Sequence, residues 1–405
     1  MIFNHRAQYA KPSRWRKVLK GFSVGAILVL VFIGGVGVGS GKLKLSGGTD
    51  KQNLNAKLPE NLDYLAVEEV YDALRLNFDG QLDQEKLVDG LKEGLSRASE
   101  DPYTEYLNAE ASKDFDEQLN GSFEGIGAEL SREAKNIVIV SPIAGFPAEL
   151  AGLKPGDIIA QINDENAYDL TVSQAVKKIR GPKGTSVKLT IVRGDGVLNF
   201  EITRATITIP SVTSDVLAGN IGYLKISRFG DDTAKLTREA AESFKNKNIK
   251  GVILDLRGDP GGLLEASVDV ASLWLKNQTV LEEKRGGVII KSYTSRGTSI
   301  LADIPTIVLI DGGSASASEI VAGALKDHKV AKIYGTKSFG KGSVQELRRL
   351  KGGGVLKVTI ARWYTPSGRN IDKDGIEPDK VIEISEDDLK AKRDPQKDSA
   401  YDQLR

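Results

Sequence analysis

The sequence predicts an α+β protein of several domains: a membrane-length apolar segment, a helical region, a β-rich module and a layered α/β domain. Three observations carry that prediction. Residues 21–41 hold no charge and consist mostly of Val, Leu, Ile, Phe, Ala and Gly. Between 121 and 204, short β-rich runs are separated by Gly, Pro and Asp turns. From Ile221 onward, near-continuous apolar runs alternate with helical stretches, the order of strands buried on both faces between helices. A chain of 405 residues also exceeds what a single core holds.

Each segment follows in order. Residues 1–20 carry Arg6, Lys11, Arg14, Arg16, Lys17 and Lys20 with no acidic residue, so this end is expected in the cytoplasm. Residues 21–41 match the ~20 residues that cross a bilayer as a helix. A cleaved signal peptide is the rival, with Gly37, Gly39 and Ser40 as its processing site. The run is long for a signal peptide and lacks an Ala-x-Ala ending, which favours a retained, single-pass anchor. Either reading puts everything after Lys42 outside the cytoplasm, on the periplasmic or cell-wall side of the cell membrane. Residues 42–61 read as a polar linker. Helical spacing of Leu65, Val67, Val70, Leu74, Leu82, Leu87, Leu91 and Leu95 predicts a helical region over 62–120, interrupted by the turn at Asp101-Pro102-Tyr103-Thr104. A β-sandwich with one helix, 172–179, is expected over 121–204 and an α/β core over 205–385. Residues 386–405 lack an apolar pattern and read as a solvated tail.

Composition excludes several chemistries. A net charge of +1 gives no reason to expect a nucleic-acid partner. Without cysteine there is no thiol nucleophile, no Cys-ligated metal and no disulfide. No metal or organic cofactor is expected. The histidines are His5 and His328 alone, so a serine hydrolase here has to look to lysine for its base.

The run Gly313-Ser314-Ala315-Ser316-Ala317-Ser318-Glu319 supplies the nucleophile candidates. It follows the apolar run 306–310 and precedes a helix starting near Ala317. A serine there sits at a helix N-terminus, where free N–H groups and the dipole favour developing negative charge. Three serines compete and spacing does not choose among them; any one is also a good N-cap. Lys341, between Gly340 and Gly342, is the base candidate, provided burial or a nearby cation lowers its pKa. A Ser316–His328–Asp327 triad fails on distance: eleven residues separate Ser316 and Asp327, about 16 Å along a helix. The segment Gly335-Thr336-Lys337-Ser338-Phe339-Gly340-Lys341 nearly spells a phosphate-binding loop, but Gly342 stands where that motif needs Ser or Thr.

Two resemblances complete the reading. Phe123-Glu124-Gly125-Ile126-Gly127-Ala128, Pro147-Ala148 and Ala151-Gly152-Leu153-Lys154-Pro155-Gly156-Asp157-Ile158-Ile159 resemble a PDZ domain. That implies a loop, Gly125, Ile126, Gly127 and Ala128, whose N–H groups bind a peptide's terminal carboxylate while the peptide adds as a strand. The stretches 313–320, Ala322-Gly323-Ala324-Leu325-Lys326-Asp327, Phe339-Gly340-Lys341-Gly342-Ser343-Val344-Gln345 and Leu254-Asp255-Leu256-Arg257 before Pro260-Gly261-Gly262 resemble the carboxyl-terminal processing (tail-specific) proteases. The resemblance implies a Ser–Lys endopeptidase on a core related to the Clp protease/crotonase fold. Ser316 would be its nucleophile, Lys341 its base and Gln345 the residue orienting that lysine; Gly262 and Ala317 would form the oxyanion hole. The implied partner is a protein or peptide with an apolar C-terminus, and a homodimer stays open. Asp327 matches an aspartate often associated with such sites, though its distance favours a structural role. One departure stands out: the family usually has Asn where this chain has Asp259. A carboxylate there opposes an oxyanion unless it points away or pairs with Arg257. The alternatives are a membrane-anchored PDZ scaffold with an inactive core and, less fittingly, a crotonase-type acyl-CoA enzyme.

Overall fold

The computed structural model describes residues 62–405, so the expected basic tail, anchor and linker lie outside the described residues. Among the described residues, no helix is long and apolar enough to cross a membrane. The chain divides into two units, the first ending at Leu82 and the second spanning 83–405. In the first, the helix Tyr64–Asn77 starts where the Asp63 carboxylate accepts from the Leu65 and Ala66 N–H groups, and none of its residues is buried.

The second unit opens with helices Gln84–Arg97 and Ala109–Asn120 around a short strand, β1 (Glu105–Leu107). The helical region expected over 62–120, with its turn at 101–104, also holds a strand: β1 pairs antiparallel with the later strand Val355–Tyr364. A tripeptide this short has no periodicity to read, and a free sheet edge decides its conformation. Val88, Leu91 and Leu95 on the first of these helices are exposed.

The β-rich module follows. β2 (Ser122–Gly125) pairs with β9 (Ala205–Thr208). The main sheet runs β3 (Ala128–Glu133), β4 (Asn136–Pro142), β5 (Ile158–Ile162), β7 (Ser186–Arg193) and β8 (Gly196–Thr203), with β6 (Glu165–Asn166) beside β5. In β7, Val187, Leu189 and Ile191 point inward while Lys188 and Thr190 do not, the period of two that one buried face imposes. The helix Val172–Ile179, started by a capping box between Thr171 and Gln174, covers the core.

The α/β domain is a sheet of order β10 (Val212–Leu217), β11 (Ile221–Ile226), β12 (Gly251–Asp255), β15 (Thr306–Ile310), β16 (Ala331–Gly335) and β19 (Lys380–Val381), parallel from β11 onward. Every residue of β12 and β15 is buried, which explains their unbroken apolar runs. A second sheet joins β13 (Thr279–Arg285), β14 (Val288–Thr294), β17 (Ser343–Arg349), β18 (Val355–Tyr364) and β1. Helices Thr233–Asn246, Leu264–Ala271 and Ala317–Asp327 connect the layers.

The expected solvated tail, 386–405, is also corrected. Its residues form helices Glu386–Lys390 and Pro395–Leu404. Ala400 is fully buried, and Tyr401 and Leu404 pack on the cluster of Ile221, Ile253, Ile307 and Leu309. Three apolar contacts on so polar a helix leave almost no periodic signal, yet they cover a face that the sheet would otherwise expose.

Candidate active site

Parallel strands β12 and β15 carry the site, because their C-terminal ends lie side by side. After β15 the chain turns through 311–315 and enters the helix Ala317–Asp327. Ser316 makes that entry with φ 54° and ψ −111°, a conformation that costs a non-glycine residue about 1–3 kcal/mol. Its N–H donates to Glu319 Oε2 at 2.8 Å.

The structure separates the three serines. Ser314 is fully buried; its hydroxyl donates to the Leu256 carbonyl at 2.8 Å and accepts from the Asp311 N–H at 3.0 Å. Ser318 is fully buried too, its hydroxyl donating to the Asp259 carbonyl at 3.0 Å. Ser316 lines a cavity of about 350 Å³ together with Gly261, Gly262, Lys341 and Gln345.

After β12, the chain doubles back through Pro260-Gly261-Gly262 against the serine. A Cβ on Gly261, whose φ is 95°, would fall 2.9 Å from the Ser316 Cβ, and one on Gly262 would fall 2.1 Å from the Phe229 carbonyl oxygen. Only glycine fits so close an approach. Among the described residues, neither the Gly262 N–H nor the Ala317 N–H donates to a protein acceptor. Both are therefore free to receive an anion.

Lys341 is half-buried, and its amine makes no ion pair or hydrogen bond among the described residues. Its pKa is lowered, first by burial and then by the positive charge of Lys357 across the cavity. The Tyr103 ring lies 5.3 Å from Lys341 Nζ. Gln345 lines the cavity, but its amide NH₂ donates to Ser343 Oγ at 2.7 Å and Thr359 Oγ1 at 3.3 Å rather than meeting Lys341.

Sequence reasoning overlooked Glu319. Fully buried, its carboxylate accepts from Ser316 N–H at 2.8 Å, Lys341 N–H at 2.9 Å, Gly340 N–H at 2.7 Å and Ser338 Oγ at 2.6 Å. It thus fastens the serine segment to the lysine segment. The Ser316-x-x-Glu319 spacing of a capping box was the available signal. Phe115, Gln118 and Leu119 of the helix Ala109–Asn120 also line the cavity, which no local motif announces.

Other expectations resolve simply. Asp259 does not pair with Arg257, which binds Asp255 and Asp394 at 2.7 and 2.8 Å. Asp327 accepts from the Ser367 N–H, and the His328 ring meets the Thr279 carbonyl, so neither serves Ser316. In the β-rich module, Ile126 and Gly127 have N–H groups with no protein acceptor among the described residues. Gly127 has φ 76°, and a Cβ there would lie 2.7 Å from the Phe146 Cβ. Gly125 ends β2 and Ala128 begins β3, whose outer edge has no strand partner among the described residues.

The chain matches the model of peptidase family S41 over residues 220–382 and that of the PDZ domain over 116–192. It is 39% identical to a carboxy-terminal processing protease, CtpA, of Bacillus subtilis, over 78% of this chain and 68% of that protein. A probable CtpA-like serine protease of Staphylococcus aureus (strain COL) is 36% identical over 91% of this chain and 73% of its own length. The crystal structure of an S41-type protein from Bacteroides fragilis shares the fold at 16% identity, with a TM-score of 0.53 over 82% of this chain and 94% of that one. The inactive-scaffold alternative is not favoured, since serine and lysine are both present in one cavity. The chain belongs to peptidase family S41 and, with its PDZ domain, is a serine-type protease of the carboxy-terminal processing kind.

Proposed function

We propose that Ser316 and Lys341 are the catalytic pair and that the PDZ domain delivers the substrate by its C-terminus. One observation carries the reading: Ser316 faces the cavity with Lys341, while Ser314 and Ser318 are sealed and hydrogen-bonded. Burial and the charge of Lys357 lower the pKa of Lys341, which favours the neutral amine that a base needs. Lys341 Nζ takes the Ser316 Oγ proton as that oxygen attacks the scissile carbonyl carbon. The resulting oxyanion accepts from the Gly262 and Ala317 N–H groups. Collapse breaks the C–N bond, the leaving amine takes the proton from Lys341, and an ester on Ser316 remains. Water attacks that ester as it gives a proton to Lys341; the C–O bond to Ser316 then breaks, Lys341 returns the proton to Ser316 Oγ, and the new C-terminus is released. Gln345, its NH₂ held by Ser343 and Thr359, keeps its carbonyl oxygen for the lysine ammonium.

The free N–H groups of Ile126 and Gly127, with Gly125 and Ala128 flanking them, support capture of a terminal carboxylate beside the open edge of β3. The resemblance to the carboxyl-terminal processing proteases favours an apolar terminal residue there, and PDZ occupancy would also gate the cavity. We further propose that residues 21–41 anchor the chain, with the protease on the outer side of the cell membrane, and that a second copy covers exposed Val88, Leu91 and Leu95.

The test uses an unstructured protein ending in apolar residues, offered with a free or an amidated C-terminus. Wild type is expected to cleave the free form and Ser316→Ala to cleave neither. Equal cleavage of both forms would remove the PDZ from the mechanism.

A further inference from the structure

Asp259 is the buried acid that the catalytic reading leaves without a task. It is 0% exposed. Its Oδ1 accepts from the Gly261 N–H at 2.8 Å, while Oδ2 is buried with no hydrogen-bond partner. Its carbonyl accepts from the Ala315 N–H at 3.0 Å and the Ser318 hydroxyl at 3.0 Å. One residue thus holds the Pro260-Gly261-Gly262 loop on one side and the Ser316 turn on the other.

We propose that Asp259 is a positioning residue that fixes the oxyanion loop as a neutral carboxylic acid, and that its ionisation disables the loop. The proposal rests on reading Gly262 as an oxyanion donor. Two carboxylate oxygens with one hydrogen bond between them make a poor buried anion. An anion there would also repel the oxyanion forming beside it.

The charges around it do not change that balance. Arg257, on the same segment, is committed to Asp255 and Asp394. Asp311 accepts from the Gly258 and Gly313 N–H groups. On the helix Ala317–Asp327, Glu319 is spent on Ser316, Ser338, Gly340 and Lys341. Lys341 and Lys357 face the cavity. Arg228 is the cation that draws Asp259 toward the anion; its Nη2 bonds the Asn120 and Ile209 carbonyls and pairs with Asp232 at 3.5 Å, while its Nε is buried and makes no hydrogen bond to Asp259. Burial therefore prevails and pushes the carboxyl up to about 7, against the Gly261 N–H and Arg228.

The experiment compares full-length wild type, Asp259→Asn and Asp259→Ala in kcat/KM from pH 5 to 9, and in thermal midpoint from pH 4 to 8. The ratio of Asp259→Asn to wild type should be flat below pH 7 and then rise, reaching about tenfold at pH 8, one decade per unit for a single group. Asp259→Ala, which gives Gly261 no acceptor, should have a lower kcat than Asp259→Asn at every pH. The carboxyl is raised in the folded state, so the midpoint of wild type relative to Asp259→Asn should fall between pH 4 and about 7 and then level. A ratio that stays flat to pH 9, or a midpoint difference independent of pH, overturns the proposal. Should all three proteins prove inactive, the catalytic reading fails separately, and the midpoint difference still decides the state of Asp259.

Discussion

At Ser316 the backbone is held at φ 54°, and the group holding it is Glu319, which also binds the N–H of Lys341. Replacing Glu319 by Ala would leave Ser316, Gly340, Lys341 and Ser338 without their acceptor inside the core. At about 1–3 kcal/mol per orphaned group, partly relieved by entering water, Glu319→Ala should cost about 3 kcal/mol or more. Denaturant unfolding measures that loss. Lys341 makes a second prediction. Because burial and Lys357 lower its pKa, the amine becomes neutral at a lower pH than an ordinary lysine, and in Asp259→Asn, which has no acid to ionise beside the oxyanion loop, kcat/KM should climb with pH along a limb below 10.5. Lys357→Met removes a positive neighbour, so that limb should move to higher pH; an unmoved limb in the pH profile would disprove the coupling. The sequence made Ser316 and Lys341 legible because nucleophile and base stand in distinctive local runs. Glu319 was harder to read, since three of its four partners lie 19 to 22 positions away in the chain.

Among the elements, β12 and β15 were readable because burial on both faces demands continuous apolar runs. The helix Pro395–Leu404 was not, because it meets the sheet with Ala400, Tyr401 and Leu404 only. Its neighbour Asp394 closes an ion pair on Arg257, which is itself bound to buried Asp255. Deleting residues 386–405 should therefore expose Ile221, Ile253 and Ile307 and leave Arg257 with Asp255 alone, lowering the thermal midpoint by several degrees. A calorimetric scan that finds no change would restore the reading of a solvated tail. Legibility failed for β1 on the same ground: its stability comes from pairing with β18, some 250 residues distant.

Across the whole molecule, the helix Ala109–Asn120 links the two functional parts. It contributes Phe115, Gln118 and Leu119 to the catalytic cavity. Its Glu110 and Glu117 meet Lys177 at 2.8 Å and Arg180 at 3.0 Å, at the end of the PDZ helix. An exposed pair such as Glu110–Lys177 contributes about 0–1 kcal/mol, weak enough to be remade when a peptide binds, and the Glu117–Arg180 pair beside it is half-buried. Lys177→Ala with Arg180→Ala should therefore change how strongly a C-terminal peptide activates cleavage, while folding stays intact by circular dichroism. Activation identical to wild type in a peptide titration would show that the PDZ domain and the cavity work independently.

The most direct measurement is mass-spectrometric mapping of the acyl group after acid quench of full-length protein turning over an unstructured substrate. The account predicts an ester on Ser316 alone, absent from Ser316→Ala and from Lys341→Ala. An adduct on Ser314 or Ser318, or turnover that survives Ser316→Ala, would contradict it.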